Sequence, residues 1–170
     1  MALEELKSGQ QVPRKYMAHY IDATPNAESS TWVRLGRDLE EYKEEYNTKV
    51  ESKENIIGEM SVNVKGYEVS SDADPYYAIV GEPLYEFLEN IARKRLVLDG
   101  CKTKVLTVLL WKGTAGAYEA DCESAVIEIK SRGGGTDGVA IPFAVHNLGD
   151  VTSGTFNEST KTFTATQAAA

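Results

Sequence analysis

Hydrophobic positions along the chain follow two different periods. In Glu82–Arg95 (EPLYEFLENIARKR), Leu84, Phe87, Leu88 and Ile91 fall at i, i+3, i+4 and i+7, which is one stripe of a helix. Pro83 suits the first turn, where its missing N–H would be unpaired anyway. Glu82 and Glu86 near the start, and Arg93, Lys94 and Arg95 at the end, complement the helix dipole. Gly100 offers a stop. Elsewhere the period is two. Trp32–Leu35 is short, aromatic and β-branched. Met60–Val69 sets Val62 and Val64 against Asn63 and Lys65, which predicts a strand with one wet face. Lys104–Trp111 (KVLTVLLW) is apolar on nearly both sides and reads as a central strand between two layers. Ser124–Lys130 puts Ala125, Ile127 and Ile129 on one side. Val139, Ile141, Phe143 and Val145 alternate cleanly, with Pro142 pushing that strand to an edge or a bulge. Val151–Phe156 and Lys161–Ala165 flank Asn157–Thr160, predicting a hairpin. Six or more strands and one helix predict a mainly β fold: an antiparallel β-sandwich or barrel with one flanking α-helix at about 82–95. No internal repeat at a fixed period is present.

Residues 37–58 fit neither period. Leu39, Tyr42, Tyr46 and Val50 are spaced three, four and four apart, as on a helix. Asn47, Thr48 and Val50, and the lack of a continuous apolar stripe, point instead to a long polar loop containing a short helical turn and some strand. Loops this long in a compact domain are as a rule functional or bind partners. Charge adds to the picture. Residues 37–59 hold four basic and eight acidic groups, half of the chain's net charge of −8. The segment reads either as a solvated surface or as a projecting loop whose field faces something it must not bind. Tyrosines also concentrate here. Of nine in the chain, Tyr42, Tyr46, Tyr67, Tyr76 and Tyr77 lie between 42 and 77, as half-core side chains or as a subunit interface.

Composition bounds the function. A chain of 170 residues makes one domain that buries roughly 70% of its unfolded surface. The acidic balance opposes tight nucleic-acid binding, which needs cations to displace phosphate counterions. No run of about 18 apolar residues offers a membrane span. The start, MALEELKSGQQVPRKY, lacks the apolar core of a secretory signal. Cys101 and Cys122 are expected as two inert reduced thiols in a reducing compartment, with a bridge between them left open. Gly133–Gly138 (GGGTDG) matches G-x-G-x-x-G, but a strand-like Val-Ala-Ile-Pro-Phe follows where a dinucleotide loop needs a helix, so a turn is expected. His19 and His146 lack further ligands at zinc spacing and read as packed or exposed strand residues. Asp72 and Asp74 begin like a calcium loop but lack its glycine and distal glutamate, which leaves a turn at Asp74–Pro75. The carboxylates of 37–59 lack the partly apolar surroundings that separate two catalytic pKa values. The expectation is no enzyme, no cofactor and no metal.

Segments along nearly the whole chain then carry a resemblance: VPRKYMAHYIDA (12–23), WVRLGRDLEEY (32–42), ENIIGE (54–59), DPYYAIVGEPLYEFLENIA (74–92), VIEIKSRGGGTDGVAIPF (126–143) and GTFNESTKTFT (154–164). In this order they resemble the major tail tube proteins of tailed bacteriophages, of the long non-contractile type found in phages and prophages of Gram-positive bacteria. The resemblance implies one tail tube domain over 1–170, with an N-terminal arm at 1–15, an inter-ring loop at 37–58 and a C-terminal tail at 165–170. It implies hexameric rings stacked into a virion tail, assembled in the host bacterial cytoplasm. The implied partners are copies of the chain itself, tail tip and tail terminator proteins, and a tape measure protein in the lumen. DNA would pass without specific binding, and no part would insert into a membrane. Interface candidates are Tyr42, Tyr46, Asn55, Ile56, Ile57, Tyr76 and Tyr77; Glu40, Glu41, Glu44, Glu45 and Glu51 are candidates for the lumen or the ring-to-ring contact. Six copies at −8 would give a ring about −48, a field that repels phosphate near the wall. The alternatives are a soluble β-sandwich module binding a carbohydrate or other ligand, and the tube of a contractile tail, bacteriocin or secretion particle.

Overall fold

The computed structural model describes residues 3–166, and its hydrogen-bonded ladders sort the strands into two separate sheets. Chain order gives β1 (Met17–Asp22), β2 (Trp32–Leu35), β3 (Lys49–Glu54), β4 (Met60–Gly66), β5 (Ser70–Ala73), α1 (Pro83–Lys94), β6 (Lys102–Thr114), β7 (Ala117–Ile129), β8 (Phe143–Asn147), β9 (Thr152–Asn157) and β10 (Thr162–Ala165). The larger sheet runs β2-β1-β6-β7, wholly antiparallel. On its far side β7 is shared. Its first half, Tyr118–Cys122, pairs β9, which pairs β10; its second half, Ala125–Ile129, pairs β8, which pairs β5. The sheet curls into a half-barrel with one helix, which is the mainly β architecture expected. β3 and β4 pair only with each other.

Strands β6 and β7 decide where the core lies. Their register is unbroken from Lys102↔Val126 to Leu109↔Glu119, so directly opposed residues share a face. On one face Leu106, Val108 and Ala120 join Ala18, Tyr20 and Phe156 in the hollow of the half-barrel, closed by Tyr16 and, from the N-terminal segment, Leu3 and Leu6. On the other, Ala125 and Ile127 join Ile21, Phe143 and Val145 beneath α1, which inserts Leu84, Leu88 and Ile91. Of Lys104–Trp111 only Val105 reaches this second core, while Thr107 and Leu109 border an open hollow, so the expected burial between two layers holds at one end of the stretch only. Across the hollow, Glu158 in the β9–β10 turn accepts from Tyr20 Oη (3.2 Å) and Arg34 Nη1 (2.9 Å), drawing the two sides of the curled sheet together. β2 and β10 are left as its outer edges.

The helix begins at Pro83 as expected but ends earlier than Gly100. Arg95 adopts the left-handed conformation (φ 50°) and stops it, and Gly100 lies in a short 3-10 turn, Leu98–Cys101. Pro142 sits just before β8, and only Phe143–Asn147 enters the ladder; β8 is internal, flanked by β5 and β7. Asp72 lies within β5, paired to Lys130 at 2.6 Å, and the chain bends at Asp74–Pro75 as expected. No helical turn occurs in 37–58. Cys101 and Cys122 are both free thiols. The N-terminal stretch from Leu3 lies against its own chain, where Tyr16 Oη donates to Glu4 O at 2.8 Å. Residues 167–170 of the expected C-terminal tail lie outside the described residues.

Gly154 in β9 is buried beneath the Phe163 ring of β10, and a Cβ there would collide with Thr164 O and that ring. Gly154→Ala is expected to cost about 1–3 kcal/mol through forced displacement of β10. The check is a lower denaturant midpoint at unchanged slope.

Candidate assembly surface

Between β2 and β5 the chain leaves the half-barrel and returns. Residues 41–45 run extended, with Tyr42 and Glu44 turned inward while Glu41, Lys43 and Glu45 face solvent. This period of two overrides the helical spacing of Leu39, Tyr42, Tyr46 and Val50. Arg14 Nη2 holds the strip by donating to Tyr42 O (2.8 Å), and Thr107 Oγ1 by donating to Glu44 Oε1 (2.6 Å). At the root, Glu45 and Ser70 exchange both backbone bonds (2.8 and 3.0 Å), and Glu68 N donates to Tyr46 O (3.1 Å). Asn47 takes a left-handed conformation (φ 41°) and its Nδ2 donates to Glu68 O (2.9 Å) and Ser70 Oγ (3.2 Å). Asn tolerates that conformation and supplies the side-chain donor.

From this root β3 and β4 project as a free hairpin. A six-residue strand rises roughly 20 Å. The register places Val50, Ser52 and Glu54 opposite Val64, Val62 and Met60 on one face. The other face carries Glu51 and Lys53 opposite Asn63 and Ser61, with Lys65 beside them. That polar face is self-neutralised: Glu51 meets Lys65 at 2.7 Å and Lys53 at 3.2 Å, and these two cations hold its carboxyl below the usual range. The apolar face has no cover. Val50, Met60, Val62 and Val64 are all more than half exposed. The strand at 60–66 thus has two wet faces where one was expected, because nothing else in the chain packs on the hairpin. At the tip Asn55 Oδ1 accepts from Ile57 N (3.1 Å) and Glu59 N (2.9 Å), and Gly58 supplies φ 82°. Ile56 is left fully exposed and Ile57 nearly so.

A second surface lies at the hairpin's root. A hollow of about 410 Å³ is bordered by Tyr46 and Tyr67, whose rings meet edge-on at 6.0 Å, and by Glu44, Asp121 and Glu123. Asp121 accepts from Ser153 Oγ (2.6 Å); Glu123 accepts from Asn147 Nδ2 and Gly149 N (each 2.7 Å). These donors are neutral, so they fix the carboxylates without cancelling their charge. Glu44, followed by burial, pushes the Tyr46 hydroxyl's pKa up. Glu119 continues the same face of β7 towards solvent, where it meets Lys112 at 3.6 Å.

The structure separates the nominated residues. Tyr46, Asn55, Ile56 and Ile57 stand exposed along the excursion. Tyr42 and Tyr76 do not join them. Tyr42 packs on His19 (4.7 Å between rings) and the core, and burial raises its pKa to about 12. Tyr76 is buried against Phe143 and donates to Glu82 Oε2 at 2.7 Å. Tyr77 is half-buried, bridged to Ala140. Among the acids, Glu41 and Glu45 share Lys43 at 3.3 and 3.4 Å, Glu51 is neutralised as above, Glu44 is half-buried, and Glu40 is exposed. The period-two run Glu119–Ala120–Asp121–Cys122–Glu123 was the available signal for the acidic face of β7, and a strand beginning at Ser124 misses it. Burial pushes both thiols' pKa values up. Among the described residues no three ligating side chains converge for a metal, and no helix is long and apolar enough to cross a membrane. The chain matches no protein-family model and no curated protein.

His19, buried beneath Tyr42, links this surface to stability. Thr107 Oγ1 gives its proton to Glu44, so His19 Nδ1, 3.3 Å away, is the donor to Thr107 in a neutral ring. Glu44 Oε1 is 3.9 Å from the ring and already bonded, too far to offset desolvation. Burial first, then Arg14, lowers the imidazole to about 4 from its ordinary 6.5. The unfolded chain therefore binds the proton more readily. Stability is complete above pH 6.5 and is lost as pH falls towards 4, by up to about 3 kcal/mol. Melting temperature followed across that window is expected to fall for the native chain and to stay flatter for His19→Gln.

Proposed function

We propose that the chain is the building block of a bacteriophage tail tube, stacking as rings around a bore through which the genome leaves the virion. The observation that carries this reading is the projecting hairpin with one uncovered apolar face. A two-stranded hairpin alone in water is marginal, and monomers seldom leave a contiguous apolar patch uncovered. Burying each Val, Ile or Met side chain against a partner would contribute about 1.5–3 kcal/mol. The unpaired outer strands β2 and β10 support the same reading, since such edges invite pairing with a further chain. The resemblance of segments along nearly the whole chain to tail tube proteins supports this choice of assembly.

In this reading the hairpin bridges to the next ring. The face of β7 carrying Glu119, Asp121 and Glu123, with Glu44 beside it, faces the bore. Asp121 and Glu123 are held by neutral donors rather than by cations, and within a Debye length of about 8 Å such carboxylates repel phosphate. DNA and a tape measure protein then slide without adsorbing, whereas a basic wall would bind at every step. Tail tip and terminator proteins would close the two ends.

The test is assembly. Negative-stain microscopy of the purified protein, seeded with tail tip proteins where needed, is expected to show rings or hollow rods. Val62→Asp with Val64→Asp is expected to leave a folded protein that stays monomeric. Hydrogen exchange of residues 49–66 is expected to be fast in the monomer and slowed in rods. Asp121→Lys with Glu123→Lys is expected to leave rods intact and slow genome release. A chain that remains a monomer under every seeded condition, with the hairpin freely exchanging, refutes the reading.

A further inference from the structure

The hairpin tip needs a receptor, and the surface beside α1 offers one. A groove of about 970 Å³ opens between α1, the turn after it and the second half of β7. Ile91, Leu96, Ile129 and Val139 make apolar walls, with Val97 and Leu98 at the mouth, 72% and 82% exposed. Arg95 and Arg132 stand among the lining residues. Arg132 meets Glu89 at 3.1 Å, and the groove's own carboxylate, Glu128, bonds His146 at 2.6 Å. Arg95, Arg93 and Lys94 have no ion-pair partner among the described residues.

The tip is its complement in apolar character and in sign. Ile56 and Ile57 form an apolar knob held outward by the Asn55 turn, and Glu54 and Glu59 flank it without a cation in ion-pair range among the described residues. Ile56 and the groove mouth are exposed together, so a chain's tip does not fill its own groove.

We propose that the Asn55–Glu59 tip of one copy seats in the α1–β7 groove of another, with Ile56 and Ile57 between the apolar walls and Glu54 and Glu59 facing Arg95 and Arg132. Aliphatic anchors in a pocket with a charged rim are the arrangement of an interface centre. Knob and groove are different surfaces of the same chain, so the contact is head-to-tail and extends into rings or rods. This deepens the tube reading by naming the receptor, and rests on it for the polymer.

Mixed-variant cross-linking tests the contact. Ile57→Cys protein is assembled with Val97→Cys protein and oxidised mildly. With Cys101, which lines the groove, and Cys122 replaced by Ser in both variants, disulfide-linked dimers are expected from the mixture and not from either variant alone. Glu54→Arg and Arg95→Glu, each confirmed as folded by circular dichroism, are each expected to raise the concentration needed for assembly about tenfold, and the pair together to restore it. Rods that form without the cross-link, or a charge swap that fails to rescue, overturn the groove contact and leave the tube reading standing. Cross-linked oligomers without rings or rods support the contact and refute the tube. Neither rods nor cross-link overturns both.

Discussion

The β6–β7 pair is the constraint on which everything else hangs. Each strand is thirteen residues long, and together they are apolar on both faces but at different places. One core fills the hollow of the half-barrel; the other lies under α1 on the opposite side. On the side away from β6 no single neighbour spans β7, so β9 takes its first half and β8 its second. What these elements leave uncovered is the stretch of the α1-side face that carries Glu119, Asp121 and Glu123. The acidic hollow is therefore a remainder of the core's geometry, occupied by residues that stay charged in water.

The excursion between β2 and β5 solves a different problem. It must leave a sheet, project and return without a core of its own. Local devices do this: the Glu45–Ser70 backbone exchange, the left-handed Asn47, the ion pair between Lys49 and Glu68, and the Asn55 turn at the tip. Surface ion pairs contribute little individually, so the polar face sets register and solubility more than strength. The apolar face remains without a partner inside the chain. A hairpin built in this way is half of an interface, and its worth depends on meeting a second surface.

Charge acquires meaning only by placement. Residues 37–59 hold half of the net charge, and several of their carboxylates pair locally: Glu41 and Glu45 with Lys43, and Glu51 with Lys53 and, beyond the segment, Lys65. On β7, Asp121 and Glu123 are held by neutral donors, whereas Glu119 pairs with Lys112. Similarly, Tyr42 and Tyr76 look like interface tyrosines by composition but are consumed by the chain's own core.

Local rules were enough for much of the fold. The helix, β2, the central β6 and the β9–β10 hairpin were legible because their apolar period, proline and turn residues act over a few neighbours. The apolar knob Asn55–Ile56–Ile57 could also be singled out from the chain alone. β1, β5 and the first half of β7 were not, because their pairing joins residues far apart in sequence and their short or acidic-alternating patterns are weak signals. In residues 37–58 the expected polar excursion with some strand is present, but the short helical turn suggested by the spacing of Leu and Tyr is not, because contacts to Arg14, His19 and Thr107 hold 41–45 extended. Which tyrosines are buried, which carboxylates keep their charge and which valines lack cover were decided by the tertiary structure alone. Those properties depend on what lies across the sheet from a side chain, and a linear pattern specifies a side chain's face without specifying what will stand against it.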